Sequence, residues 1–191
     1  CDGSQYVSLV NPKKEKSVSK ARKNDLIDEL ANGYEQMLEK AVGDIYRSEQ
    51  KTESSLQHLI HNAKDKVVEL KAVSGKEAEQ IAEYVARDLH HLGDYISGTG
   101  KELNDWLGFE VALLESEILD LLLKAADSTT VELILRNRPA EPSDIEYAVD
   151  EIAGPGTLVC KECGDSLELR RATRMISCQK CDGEIFTRET N

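Results

Sequence analysis

The sequence predicts a mainly α protein: a long antiparallel helical hairpin carrying a small β domain at its C-terminal end. Three observations carry this reading. Apolar residues recur at steps of three and four from Leu26 to Ala125, broken near the middle by Ser74-Gly75. Aromatic residues make up 5% of the chain and charged residues 31%, which suits helices with a narrow apolar stripe better than a bulky core. Four of the five cysteines stand as two C-x-x-C pairs in the last 32 residues, among short alternating runs.

Residues 1–23 read as a basic, disordered tail (Lys13, Lys14, Lys16, Lys20, Arg22, Lys23), with contact to an anionic partner as the alternative use. Asn24 is a good helix cap, followed at once by acidic residues. Leu26, Leu30, Tyr34, Met37, Leu38, Ala41, Ile45, Leu56, Leu59, Ile60, Ala63, Val67 and Leu70 then mark one helix face running to about Ala72. A polar weak point interrupts it around Ser48 to Ser55.

Ser74 with Glu77 forms a capping box that starts the returning helix, whose stripe is Ala78, Ile81, Val85, Leu89, Leu92 and Ile96. A kink follows at Ser97–Gly100, and Thr99 with Glu102 suggests a second box. The stripe resumes at Leu103, Trp106, Leu107, Val111, Leu114, Ile118, Leu121, Leu122 and Ala125. Arms of about 50 residues, at about 1.5 Å each, give a hairpin about 75 Å long. A short helix over Thr129–Asn137 thickens it. The stripes are expected to pack within this coiled-coil-like hairpin, with self-association or a partner helix as alternatives. Trp106 is expected in the core rather than as an exposed anchor. Pro139 and Pro142 end the helical domain (24–138), and 139–156 reads as a linker into the C-terminal domain at 157–191.

The net charge of −12 is unevenly placed: residues 1–24 carry +4 and residues 157–191 carry zero, which leaves −16 for the middle. So acidic a surface repels phosphate backbones and disfavours nucleic-acid binding by the helical domain. No stretch approaches the roughly 18 apolar residues that span a bilayer, so no membrane partner is expected. Cys1 stands where a native chain would carry Met; a truncated start is the expectation, and a processed lipoprotein the alternative.

Cys160-Lys161-Glu162-Cys163-Gly164 and Cys178-Gln179-Lys180-Cys181-Asp182-Gly183 each place two thiolates on one side of a tight knuckle. Gly164 relieves a positive-φ position after the first pair, and Asp182-Gly183 does so after the second. Leu167 and Leu169, then Met175-Ile176, alternate as strands between the knuckles, and Glu184–Thr187 supplies a third strand. Four thiolates fill a tetrahedral shell and leave no position for water, so Cys160, Cys163, Cys178 and Cys181 are the expected ligands of one structural Zn2+ in a zinc ribbon. Iron in the same geometry and a redox dithiol pair are the alternatives.

Tyr147, Glu151, the run Gly154-Pro155-Gly156-Thr157-Leu158-Val159-Cys160, Cys163-Gly164 and Cys178-x-x-Cys181 resemble the bacterial zinc-ribbon-containing family typified by enterobacterial YbeL. The likeness extends more weakly to Asp88-Leu89 and Tyr95, and departs at Ala148, Val149 and Asp150, where a His and small residues are usual. It implies a charged helical domain followed by a ribbon, zinc on the four cysteines and a cytoplasmic setting. It carries no catalytic residues across.

Folding the hairpin about Ser74-Gly75 brings His58 towards His91 and His61 towards Asp88, with His90 close by, which makes a second metal site a reading to test against ordinary solvated histidines. Arg170, Arg171 and Arg174 cluster at the ribbon's hairpin tip, where they are either solvated charge or a contact for nucleic acid or a partner. No nucleophile–base arrangement, phosphate-cradling loop or open-shell metal motif occurs. The expectation is a cytoplasmic, non-enzymatic zinc-binding adaptor or regulatory protein with a protein partner. An accessory factor of transcription, translation or RNA metabolism, reaching nucleic acid through the ribbon tip, is the alternative.

Overall fold

A computed structural model describes residues 12–47 (side chains for 29–46), 56–69, 73–135 and 145–189. Cys1, the whole of the weak point at Ser48 to Ser55 and the prolines at 139 and 142 lie outside them. The chain forms α1 (Pro12–Arg47), α2 (Leu56–Glu69), α3 (Gly75–Thr99), α4 (Leu103–Leu107), a 3-10 turn at Val111–Leu113, α5 (Ser116–Ala125) and α6 (Ser128–Leu135). It ends in β1 (Glu146–Ala148), β2 (Ile152–Ala153), β3 (Gly156–Cys160), β4 (Ser166–Leu169), β5 (Thr173–Arg174) and β6 (Ile185–Arg188). This is the expected mainly α fold with a C-terminal β domain.

Four details differ from the sequence reading, each for a physical reason. The helix α1 begins at Pro12, so the latter half of the basic tail is helical; proline suits a first helical turn, and Lys, Arg and Ala are good helix formers. The first arm is not one long helix, because α2 packs back against α1 and the hairpin thickens into a bundle. The helix α1 buries Ala31, Tyr34, Met37, Leu38, Ala41, Val42 and Ile45, a face too wide for one neighbour, and α2, α3 and α5 all pack on it. The Ser74–Glu77 box is present, but the second box is Glu102 with Asp105; Thr99 closes α3 instead, donating to the Tyr95 carbonyl. Finally, residues 145–156 are no linker: β1 and β2 lie there, the Tyr147 side chain is fully buried, and Ile152 packs into the helical core.

The main sheet runs β1-β6-β3-β4, all antiparallel, and β2 pairs with β5 in a small second sheet. This β domain is docked on the bundle by a buried polar network. Asp88, on the inner face of α3 between Val85 and Leu92, is only 4% exposed. It accepts from Tyr34 Oη on α1 (2.7 Å), Tyr147 Oη on β1 (3.0 Å), the Gly154 N–H (2.8 Å) and Arg87 Nε (3.0 Å). Arg87 continues to Glu151 (2.6 Å) and the Ile152 carbonyl (2.8 Å). Arg188, on β6, donates to Tyr147 Oη (3.2 Å) and the Pro155 carbonyl (2.7 Å), and its guanidinium lies 4.2 Å from the Trp106 ring centre. Trp106 is therefore a core residue, and its indole N–H donates to His91 Nδ1 (2.9 Å).

Glycine is required where the two parts meet. A Cβ at Gly154 would lie 2.5 Å from Tyr34 Oη and 3.0 Å from Asp88 Oδ2. One at Gly156, whose φ is +146°, would overlap Arg188 Nη1.

Burial alone would raise the Asp88 carboxyl, but Arg87 and Arg188, with the bonds from Tyr34 and Gly154, outweigh it and hold the group below its ordinary range. Stability from this network is therefore complete above the ordinary aspartate range and is lost as pH falls through the lowered native value. Asp88→Asn leaves the buried Arg188 guanidinium without its nearby carboxylate and Arg87 with the Glu151 carboxylate alone, and is expected to cost about 3–5 kcal/mol at neutral pH. It also removes part of the acid sensitivity, so the wild-type minus variant difference in denaturant unfolding should shrink as the buffer is made acidic. A difference independent of pH would contradict an ionised Asp88.

Candidate metal centre

Both knuckles are built by the backbone. Cys160 ends β3; its N–H bonds the Asp165 carbonyl (2.9 Å), and its carbonyl accepts from Gly164, which takes φ +72° to close the turn. In the second knuckle the Cys178 N–H bonds the Gly183 carbonyl (2.9 Å) and the Asp182 N–H bonds the Cys178 carbonyl (2.9 Å). Here Asp182, not glycine, adopts the left-handed conformation at φ +58°. Gly183 is needed for space: a Cβ there would sit 3.0 Å from Cys160 Sγ and 3.2 Å from Cys181 Sγ.

These turns bring the four sulfurs within 4.8 Å of one another. Across the knuckles, Cys160 Sγ lies 3.6 Å from Cys181 Sγ, and Cys163 Sγ lies 3.6 Å from Cys178 Sγ. A zinc–sulfur bond of about 2.3 Å puts the edge of a thiolate tetrahedron near 3.8 Å, so the donor set fits a tetrahedral metal. Backbone N–H groups of Lys180 and Cys181 stabilise the Cys178 thiolate and bring that thiol down to about 7. The four cysteines are positioned to bind a metal ion. Cys160 and Cys178 also belong to the ribbon's apolar core with Tyr147, Leu158, Met175 and Phe186, so metal and packing stabilise one body.

Among the described residues no second group of three or more metal-binding side chains is gathered, so none of the histidines belongs to such a group. His58 is exposed on α2 beside Asn62, His61 faces Asp65 one turn on, and His91 is taken up by Trp106. The tip arginines each meet an acid: Arg170 with Glu168 (2.7 Å), Arg171 with Glu35 of α1 (3.6 Å) and Arg174 with Asp150 (3.0 Å). The tip is docked on α1, where Ala172 packs into the helical core and donates its N–H to Glu35 (3.3 Å).

Sequence reasoning missed the docking network. A signal was present: Asp88 falls on the stripe of Ile81, Val85, Leu89 and Leu92, where an acid needs a buried partner.

Cobalt titration of the full chain should give one tetrahedral, all-sulfur centre whose thiolate charge-transfer band saturates at one equivalent. Cys178→Ser should lower the affinity at least a hundredfold and weaken that band. A spectrum showing water or imidazole ligation would reject the closed four-thiolate shell.

No curated protein and no solved structure matches the chain. The family described as the zinc-ribbon containing domain matches residues 43–190, which spans both knuckles, the docking network except Tyr34, and all helices from α2 onward. With well over half of its length matched and its four cysteines gathered at metal-binding distance, the chain belongs to the zinc-ribbon containing domain family.

Proposed function

We propose that the protein is a non-enzymatic, cytoplasmic adaptor that holds one structural zinc and presents its ribbon to a protein partner from a helical scaffold. The observation that carries this reading is the closed set of four sulfurs on a ribbon fixed to the bundle through Asp88 and Arg188. A filled thiolate shell offers substrate no coordination position, and a docked ribbon is a rigid surface. No described helix is long and apolar enough to cross a membrane.

The face available for recognition is the knuckle side. Ile176 is 53% exposed beside a cleft of about 160 Å³ lined by Asp165, Ser166, Leu167, Gln179 and Phe186. The acidic partners of Arg171 and Arg174 and the contact of the tip with α1 argue against the alternative in which the tip enters nucleic acid.

Affinity capture from the native lysate, with and without nuclease, separates the two readings. The adaptor reading expects a partner that resists nuclease and moderate salt and is lost with Ile176→Asp or Cys178→Ser. Recovery that needs intact nucleic acid, falls steeply with salt and disappears on charge reversal of Arg170, Arg171 and Arg174 would replace it.

A further inference from the structure

We propose that the buried Asp88 network sets the metal affinity of the ribbon, so that metal loss unlatches the ribbon from the helical bundle. The inference rests on the zinc reading above and concerns how that site is controlled.

Both knuckles run directly into the network. The first is reached along β3, which begins at Gly156 against Arg188 and ends at the ligand Cys160. Its partner β6 sets Phe186 opposite Cys160 and Arg188 opposite Leu158, while β1 sets Tyr147 opposite Phe186. The register that places the ligand thus also places the guanidinium and phenol that engage Asp88. The second knuckle is reached through Met175, three residues before Cys178: its N–H bonds the Glu151 carbonyl (2.8 Å) and its carbonyl accepts from Asp150 (3.0 Å). The Glu151 carboxylate in turn holds Arg87, the residue beside Asp88.

One feature of α3 therefore fixes the separation of two knuckles that the metal also fixes. Two constraints on one geometry are coupled, and the coupling is reciprocal: if metal favours docking, docking favours metal by the same factor. A ribbon with so small a core of its own has little else to hold its strands once the metal leaves. Release would expose Tyr34, Asp88 and Trp106 on the bundle, whose other apolar contacts come from the helices themselves.

The chain carries a single tryptophan, and it lies under Arg188 at the junction, so its emission reports docking. The test is a zinc competition titration against a chromophoric chelator, with Trp106 emission and helical circular dichroism recorded on the same full-length samples. Asp88→Asn, which touches neither metal nor indole, should weaken zinc binding about tenfold or more. Gly154→Ala should do likewise, and either variant should keep its helical signal. Stripping zinc from the wild type should shift Trp106 emission to longer wavelength with the helices intact. Zinc affinity unchanged within twofold in both variants would overturn the coupling, as would Trp106 emission indifferent to zinc. A wild-type chain that takes up no zinc would instead sink the metal reading, and the latch with it.

Discussion

A carboxylate with only 4% of its surface in contact with solvent is the constraint around which this molecule is arranged. An isolated charge in such a place would be neutralised or expelled, because desolvation alone costs several kcal/mol. Asp88 stays ionised because donors reach it from α1, from α3, from β1 and from the loop ahead of β3. None of these segments satisfies it alone. Directional bonds also fix what apolar contact leaves loose: a sheet face slides on a helix at small cost, but a carboxylate accepting from two phenols, one N–H and one guanidinium has a single acceptable position. Burial keeps both phenols protonated, Tyr147 up to about 12, so they remain donors throughout the physiological range.

The consequence for architecture is that the ribbon is not a bead on a tether. Ile152 and Ala172, although they belong to its strands and tip, pack in the helical core, while the ribbon's own core centres on Tyr147, Leu158, Phe186 and two ligand cysteines. Tyr147 stands at the boundary, with its ring in the small core and its hydroxyl on Asp88 of the large one. Arg87 and Arg188 both lie against that ring, at 4.1 and 5.4 Å, so the charges that neutralise Asp88 also pack.

What was legible in the sequence follows from how local its cause is. Helix stripes repeat within one turn and capping boxes within four residues, so α3 and the apolar faces of α2 and α5 could be read directly, although the spacing ran α2 on from α1 and α5 on from α4; C-x-x-C spacing states its own chemistry, so the metal site could be read too. The arms of the hairpin were misjudged because a stripe shows which face is buried, not how many neighbours cover it. The strands β1 and β2 have three and two residues, too few for alternation to register, and their pairing partners lie twenty or more residues away. The docking network joins residues 54 to 66 positions apart to Asp88, and only the acid on an apolar stripe pointed to it.

Docking also decides which ribbon surfaces remain for others. The tip rests on α1 through Ala172 and Glu35, with Arg170 and Arg171 beside that contact still exposed. Tyr147 on β1 and the Gly154 loop face α3, where both bond Asp88. The knuckle side stays open too, with Ile176 exposed next to Cys178 and the cleft over Leu167. That surface is shaped by the second knuckle, whose approach is tied through Met175 and Glu151 to Arg87. On the coupling proposed above, a partner reading this face would sense the metal and the helical bundle together, because both act on the strand ends that frame it.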